Sequence, residues 1–174
     1  MFINTADYCA KLSMELDAKI QASVPEQEKT TQTVSFEAVR DLFQSLIPVS
    51  NQLLMKRLEL ALLPAMTLMT RTNWVTVQFV GDPSEYVNAM EKVLKDLVPV
   101  LRIALVSTGH QRFVLDKMVE AVSTKYMETI HKCKPISDSG AEQLLLDTHA
   151  LKSVLLALPH AGLPAGEKAS VPTR

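Results

Sequence analysis

Glycine, aromatic residues and cysteine are scarce in this sequence: five glycines, 5% aromatics and two cysteines among 174 residues. With Leu, Ala, Val, Met, Glu and Lys dominant instead, the composition favours helices. Two cysteines, Cys9 and Cys133, are too few for the disulfide framework of a small secreted protein and point to a reducing, cytosolic compartment. Charge of one sign is missing too. Eighteen Lys and Arg stand against nineteen Asp and Glu, which leaves no electrostatic footprint for a phosphate backbone or an anionic membrane. No apolar run approaches the ~18 uncharged residues of a membrane span. The longest candidate, residues 58–69, contains Glu59 and Pro64 and follows Lys56 and Arg57. The opening "MFINTADYC" lacks the basic region of a secretory signal, so membrane association is expected to be peripheral or through partners. What is present, 47% hydrophobic and 21% charged residues, is the balance of a globular chain that buries a real core in one domain or two small ones.

Apolar spacing predicts five to six helices. The first covers residues 5–23, with Cys9, Leu12, Leu16 and Ile20 on one stripe, and the polar "VPEQEKTTQT" that follows reads as a loop. Ser35 is placed as an N-cap, with Val34 and Val39 as a hydrophobic staple. From there a stripe runs Phe36, Val39, Phe43, Leu46, Leu54, Leu58, Ala61, Ala65 and Met69. Pro48 and Pro64 interrupt it, and because each lacks a donor and clashes with the preceding turn, the expectation is two helices in line.

"NWVTVQFV" alternates like a strand, but no second strand pattern exists to pair with it, so it is assigned as an extended segment anchored by Trp74. In "GDPSE", Asp82 is expected to cap a helix over residues 83–106, with Pro83 at its first position, Glu85 closing a capping box and Pro99 bending it. Its stripe is Tyr86, Met90, Leu94, Leu97 and Leu101. Thr108 with Gln111 opens the next helix, whose stripe is Leu115, Met118, Val122, Tyr126 and Ile130; Lys132 and Lys134 suit its negative pole and Pro135 stops it. Ser139 with Glu142 opens the last helix, which ends at Pro159. The expected organisation is one helical region, residues 1–158, and a disordered tail, residues 159–174, without periodicity.

Chemistry is hard to find. Asp147 and His149 are two positions apart on a helix and diverge, whereas His149 and Ser153 share a face; a serine nucleophile would still need a third group and an oxyanion site. Asp147, Lys152 and Ser153 are assigned to the wetter sides of this helix, and Leu144, Leu151, Leu155 and Leu158 to its buried stripe. His131 and Cys133, with Cys9 or His149, could supply metal ligands, but the close pairs of a zinc site are missing. The eight methionines fall mostly on apolar stripes, as core filling. No phosphate loop, two-metal carboxylate cluster or dinucleotide fingerprint is found. The residues therefore indicate an all-α protein that is not an enzyme, with no catalytic, cofactor-binding or metal residues and no cofactor.

Two stretches carry a resemblance. "NWVTVQFVGDPSEYV" and "KCKPISDSGAEQLLLDTHALKSVLLALP" look like the C-terminal half of the vacuolar protein sorting-associated protein 53 family, and "INTADYCAKLSMEL" is similar to the same region upstream. The resemblance covers most of residues 2–159 and rests on packing and capping residues. It implies an elongated helical bundle of the multisubunit tethering-complex type, with one extended segment. It also implies membership of the Golgi-associated retrograde protein complex or its endosomal sister. The implied partners are sibling subunits, SNAREs and small GTPases, at the cytosolic face of the trans-Golgi network and endosomes. Family members assemble through an N-terminal coiled-coil part that this chain lacks, so the chain alone is expected to fold without assembling. The alternative is a small helical adaptor that binds one partner without tethering.

Overall fold

The computed structural model describes residues 2–23 and 35–160. Over these the protein is all-α: α1 is Phe2–Ser23, α2 Glu37–Arg71, α3 Glu85–Ala104, α4 Thr108–Ile130 and α5 Asp138–Ala157, followed by a 3-10 turn, Leu158–His160. No strand occurs among the described residues. The chain divides into two compact units, Met1–Leu54 and Met55–Arg174, and α2 contributes to both. The tail expected from residue 159 lies, beyond the 3-10 turn, outside the described residues.

In the first unit, α1 buries Ile3, Ala6, Ala10 and Ser13. This corrects the stripe read from the sequence: Leu12 and Leu16 are exposed, while Cys9 and Ile20 are half-buried. The buried line lies about a quarter-turn from the expected one on a helix of 3.6 residues per turn. Ranking by bulk misled here, because alanine is among the residues most often fully buried. Ser13 keeps its hydroxyl satisfied inside this line by donating to the Cys9 carbonyl at 2.8 Å.

One helix, rather than two in line, spans Pro48 and Pro64. Both prolines are exposed, as are Gln44 and Leu60, whose carbonyls lose their in-helix donors; at exposed positions water can take the place of the missing donor. At its start, Ser35 does accept a backbone N–H, that of Glu37 at 3.2 Å, while Val34 of the expected staple lies outside the described residues.

The second unit holds the larger core. From α2 it takes Leu58, Leu62, Ala65, Met66 and Met69; from α3 Tyr86, Val87, Met90, Leu94, Val98 and Leu101; from α4 Val114, Leu115, Met118, Val122 and Tyr126. From α5 and the turn it takes Leu144, Leu151, Leu155 and Leu158, the stripe expected for this helix. Packing joins α3 to α4 and α5, and seats the 3-10 turn against both α3 and α4. Arg102 fixes that turn by donating to the Pro159 carbonyl at 2.9 Å. Of the methionines, Met66, Met69, Met90 and Met118 fill the core, whereas Met14 and Met127 are exposed.

Three helix starts differ from expectation, and each is moved to a neighbouring serine. The N-caps are Ser84 instead of Asp82, Ser107 instead of Thr108, and Ser137 instead of Ser139. Ser107 and Ser137 accept from His110 N–H at 3.5 Å and Gly140 N–H at 3.1 Å. Gln111, expected to close a box, instead donates to the Arg102 and Leu105 carbonyls, satisfying the C-terminal end of α3. Pro99 sits inside α3 without ending it.

Trp74 explains the third shift. Its ring is buried and its indole N–H donates to the Met69 carbonyl at 3.0 Å, capping the end of α2. Its own carbonyl accepts from both the backbone N–H and the hydroxyl of Ser137, at 3.2 and 2.9 Å. Starting α5 at Asp138 brings Gly140 to its third helical position, where a Cβ would land on that same carbonyl oxygen. Only a residue without a Cβ lets α5 begin so close to the Trp74 backbone.

Candidate functional site

The most concentrated polar chemistry in the described residues is buried at the N-terminus of α3. Asp147, expected on a wetter side of α5, is instead completely buried. The physical reason is its register: it follows Leu144 by three positions and precedes Leu151 by four, so it shares their stripe. Its Oδ1 accepts the backbone N–H of Ser84 at 2.8 Å and an amide N–H of Gln143 at 3.1 Å. The same Gln143 amide donates to the Asp82 carbonyl at 2.9 Å.

This arrangement does what a capping box does, by other means. In a box, a carboxylate at the third helical position reaches back to the N–H of the cap residue. In α3 that position is Val87, and α5 supplies the carboxylate instead. The positive end of the α3 dipole also favours the negative charge there.

Beside the carboxylate runs a line of hydroxyls. Tyr86 and Tyr126 oxygens are 3.3 Å apart, Tyr126 and Thr148 oxygens 3.1 Å, and Thr148 Oγ1 lies 2.7 Å from the Leu144 carbonyl. The two tyrosine rings stack with centroids 6.5 Å apart, and Trp74 meets Tyr86 edge-on at 6.2 Å. Burial pushes the Tyr86 phenol far above its ordinary range, and neighbouring Tyr126 and Asp147 push it the same way. Burial likewise raises Tyr126.

The residues considered for chemistry are not assembled into a site. His149 is exposed, and the Ser153 hydroxyl donates to the His149 carbonyl at 3.0 Å instead of meeting its ring. Cys133 is buried, its thiol within reach of the Met69 and Thr129 carbonyls, and burial raises its pKa, the opposite of what a reactive thiolate needs. His131, two positions away, is exposed. Among the described residues no group of three or more His, Cys, Asp or Glu side chains could hold a metal ion. An open depression of about 440 Å³ lies beside Trp74, Val77 and Phe79 and reaches Ser84 and Gln143 at the edge of the buried cluster. No described helix is long and apolar enough to cross a membrane.

Geometry thus defines a class: a helical-bundle protein whose buried polar groups join helices to one another. Comparison with known proteins gives the family. The chain is 36% identical over 157 residues to vacuolar protein sorting-associated protein 53 A of Arabidopsis thaliana, covering 90% of this chain and 19% of that protein. It is 34% identical over 157 residues to the vacuolar protein sorting-associated protein 53 homolog of Caenorhabditis elegans, covering 89% of this chain and again 19% of the relative. The chain belongs, as a segment, to the vacuolar protein sorting-associated protein 53 family, and spans about a fifth of the length of these relatives. No family model matches it. No solved structure matches it either.

Proposed function

We propose that this chain is a non-catalytic segment of a vesicle-tethering subunit that acts in endosome-to-Golgi retrograde transport. The observation that carries this reading is the match to two vacuolar protein sorting-associated 53 proteins across nine-tenths of the chain. In this reading the segment works by contact: sibling subunits of the tethering complex hold it, and SNAREs and small GTPases join the same assembly. It is held through those partners at the cytosolic face of the trans-Golgi network and endosomes. Side chains at the end of α3 and just past it suit such a role, since Val100, Ile103 and Val106 are 59%, 87% and 80% exposed. Apolar groups left in water favour association with a partner.

The test is a replacement. In a full-length family member, the matching segment is exchanged for this chain in cells that lack the endogenous subunit. The expected result is recovery of the sibling subunits on affinity purification and restored retrieval of endosomal cargo to the Golgi. A chimera that is stably expressed yet recovers neither siblings nor cargo retrieval would overturn the proposal.

A further inference from the structure

The first half of α2 turns a line of apolar residues outward. Val39, Leu42, Leu46, Val49 and Leu53 are between 42% and 64% exposed, all within one continuous helix. They follow one another at steps of three, four, three and four residues, the rhythm that keeps side chains on one narrow seam and lets a second helix pack along it. This seam is not the packed face of the helix: Phe43, Ile47 and Leu54, a step further round, are half-buried. Pro48 lies off the seam and does not interrupt it.

Size and chemistry decide what fits there. With exposed Ala38, Ser45 and Gln52 beside it, the seam presents on the order of 500 Å² of mainly apolar surface, at the upper end of what a lone chain leaves in water. Two such surfaces closed on each other bury on the order of 1,000 Å², the size a specific interface must reach. Charges flanking a seam are what direct it to a different helix. Here the flanking residues are Ala38, Phe43, Ser45, Ser50 and Gln52, none of them charged, so nothing repels an identical seam. Nearby Arg40 is engaged by Glu37 and Asp41 at 3.3 and 3.5 Å. Lys56 ends the apolar run, and in an antiparallel pair each Lys56 comes beside Val39 of the other copy instead of meeting its own equivalent.

We infer that Val39, Leu42, Leu46, Val49 and Leu53 form a self-complementary seam through which two copies of this chain pair, antiparallel, along α2. The layers set Leu42 against Leu53 of the second copy and Leu46 against its Val49. Because each seam meets the same seam on the other copy, association closes at two. The seam belongs to the first unit, and the inference stands apart from the proposed function, which rests on the family match.

The experiment measures the mass of the full 174-residue chain by sedimentation equilibrium from low to high micromolar concentration, beside Leu46→Glu, Leu53→Glu and Ile103→Glu. The expected result is a reversible monomer–dimer equilibrium that ends at two chains. Each seam variant places a charge in the interface twice over, so its dimer dissociation constant should rise about tenfold or more. Ile103→Glu, on the exposed end of α3, should leave the dimer unchanged. Circular dichroism confirms that the variants keep their helix, and since the substituted leucines are exposed, either one serves if the other unfolds. A chain that stays monomeric throughout would overturn the inference and assign the seam to a different helix. Growth beyond two chains, or a dimer that survives both seam variants, would overturn it as well.

Discussion

Ser84 donates its backbone N–H to Asp147 Oδ1 at 2.8 Å, a bond that closes 63 residues of chain between the start of α3 and the middle of α5. It binds a helix terminus to a carboxylate that has no access to water. Removing the acceptor strands the part-buried Ser84 N–H and takes from the Gln143 amide one of its acceptors, leaving it the Asp82 carbonyl. Asp147→Ala is therefore expected to cost about 2–3 kcal/mol, the range for bonds to a charged group. Asp147→Asn keeps an acceptor for Ser84 and should cost less than half as much. Denaturant titration of the two variants checks this; equal losses would show that charge, and not the bond to Ser84, stabilises the site.

The start of α5 gives a second test. Ser137 both caps the helix and donates to the Trp74 carbonyl, while Ser139 lies one step inside. Ser137→Ala should cost about 1–2 kcal/mol and Ser139→Ala should stay within about 0.5 kcal/mol. Gly140→Ala, which on an open helix would stabilise, is expected here to lose about 2 kcal/mol or more because its Cβ meets a backbone oxygen that cannot turn away. Thermal melts of the three variants rank them, and a stable Gly140→Ala would mean that α5 can start farther from Trp74.

How much of this was legible follows from where the information lies. The stripes of α3, α4 and α5 are local, set by spacing within one helix, and the sequence shows them apart from Leu97 and Ile130, which are half-buried. The choice of Ser137 over Ser139 is not local, because it is made by the Trp74 carbonyl, 63 residues upstream. Asp147 is legible by spacing, which from Leu144 and Leu151 places it on the buried stripe, whereas its charge alone points to a wetter side. In α1 bulk and burial part in the same way: Leu12 and Leu16 form the bulkier line, but Ala6 and Ala10 are buried. The partner that makes a buried acid tolerable, the start of α3, can be known only once the helices are packed.

High pH should destabilise the fold through Tyr86 and Tyr126. Burial raises both phenols above their ordinary value of 10.0, so in the folded protein they stay protonated where an unfolded chain ionises. Above that ordinary value the unfolded state binds fewer protons than the native one, and stability falls as pH rises. Their contribution is complete below about pH 10 and declines above it by about 1.4 kcal/mol per pH unit for each tyrosine, at most. Tyrosinate absorbance followed beside circular dichroism checks this: Tyr86 and Tyr126 should ionise together with loss of helix. Ionisation of both in a chain that keeps its helical signal would show that the buried phenols are reached without unfolding.

The last expectation separates packing from chemistry on α5. Leu151 is 2% exposed within the stripe that also holds Leu144 and Leu155, whereas His149, two positions away, faces water. Leu151→Asp places an unpaired carboxylate in an apolar core beside the existing charge of Asp147, one helical turn earlier, so desolvation and like-charge repulsion add. The expected loss is about 3 kcal/mol or more, enough to unfold a marginally stable domain. His149→Ala removes a ring that no core residue needs, and the change should stay within about 0.5 kcal/mol. Melting both variants at neutral pH tests the assignment of the two faces. A loss for His149→Ala that matched the loss for Leu151→Asp would mean that the histidine is held by contacts a solvent-facing residue does not make, and that this face of α5 is not simply solvated.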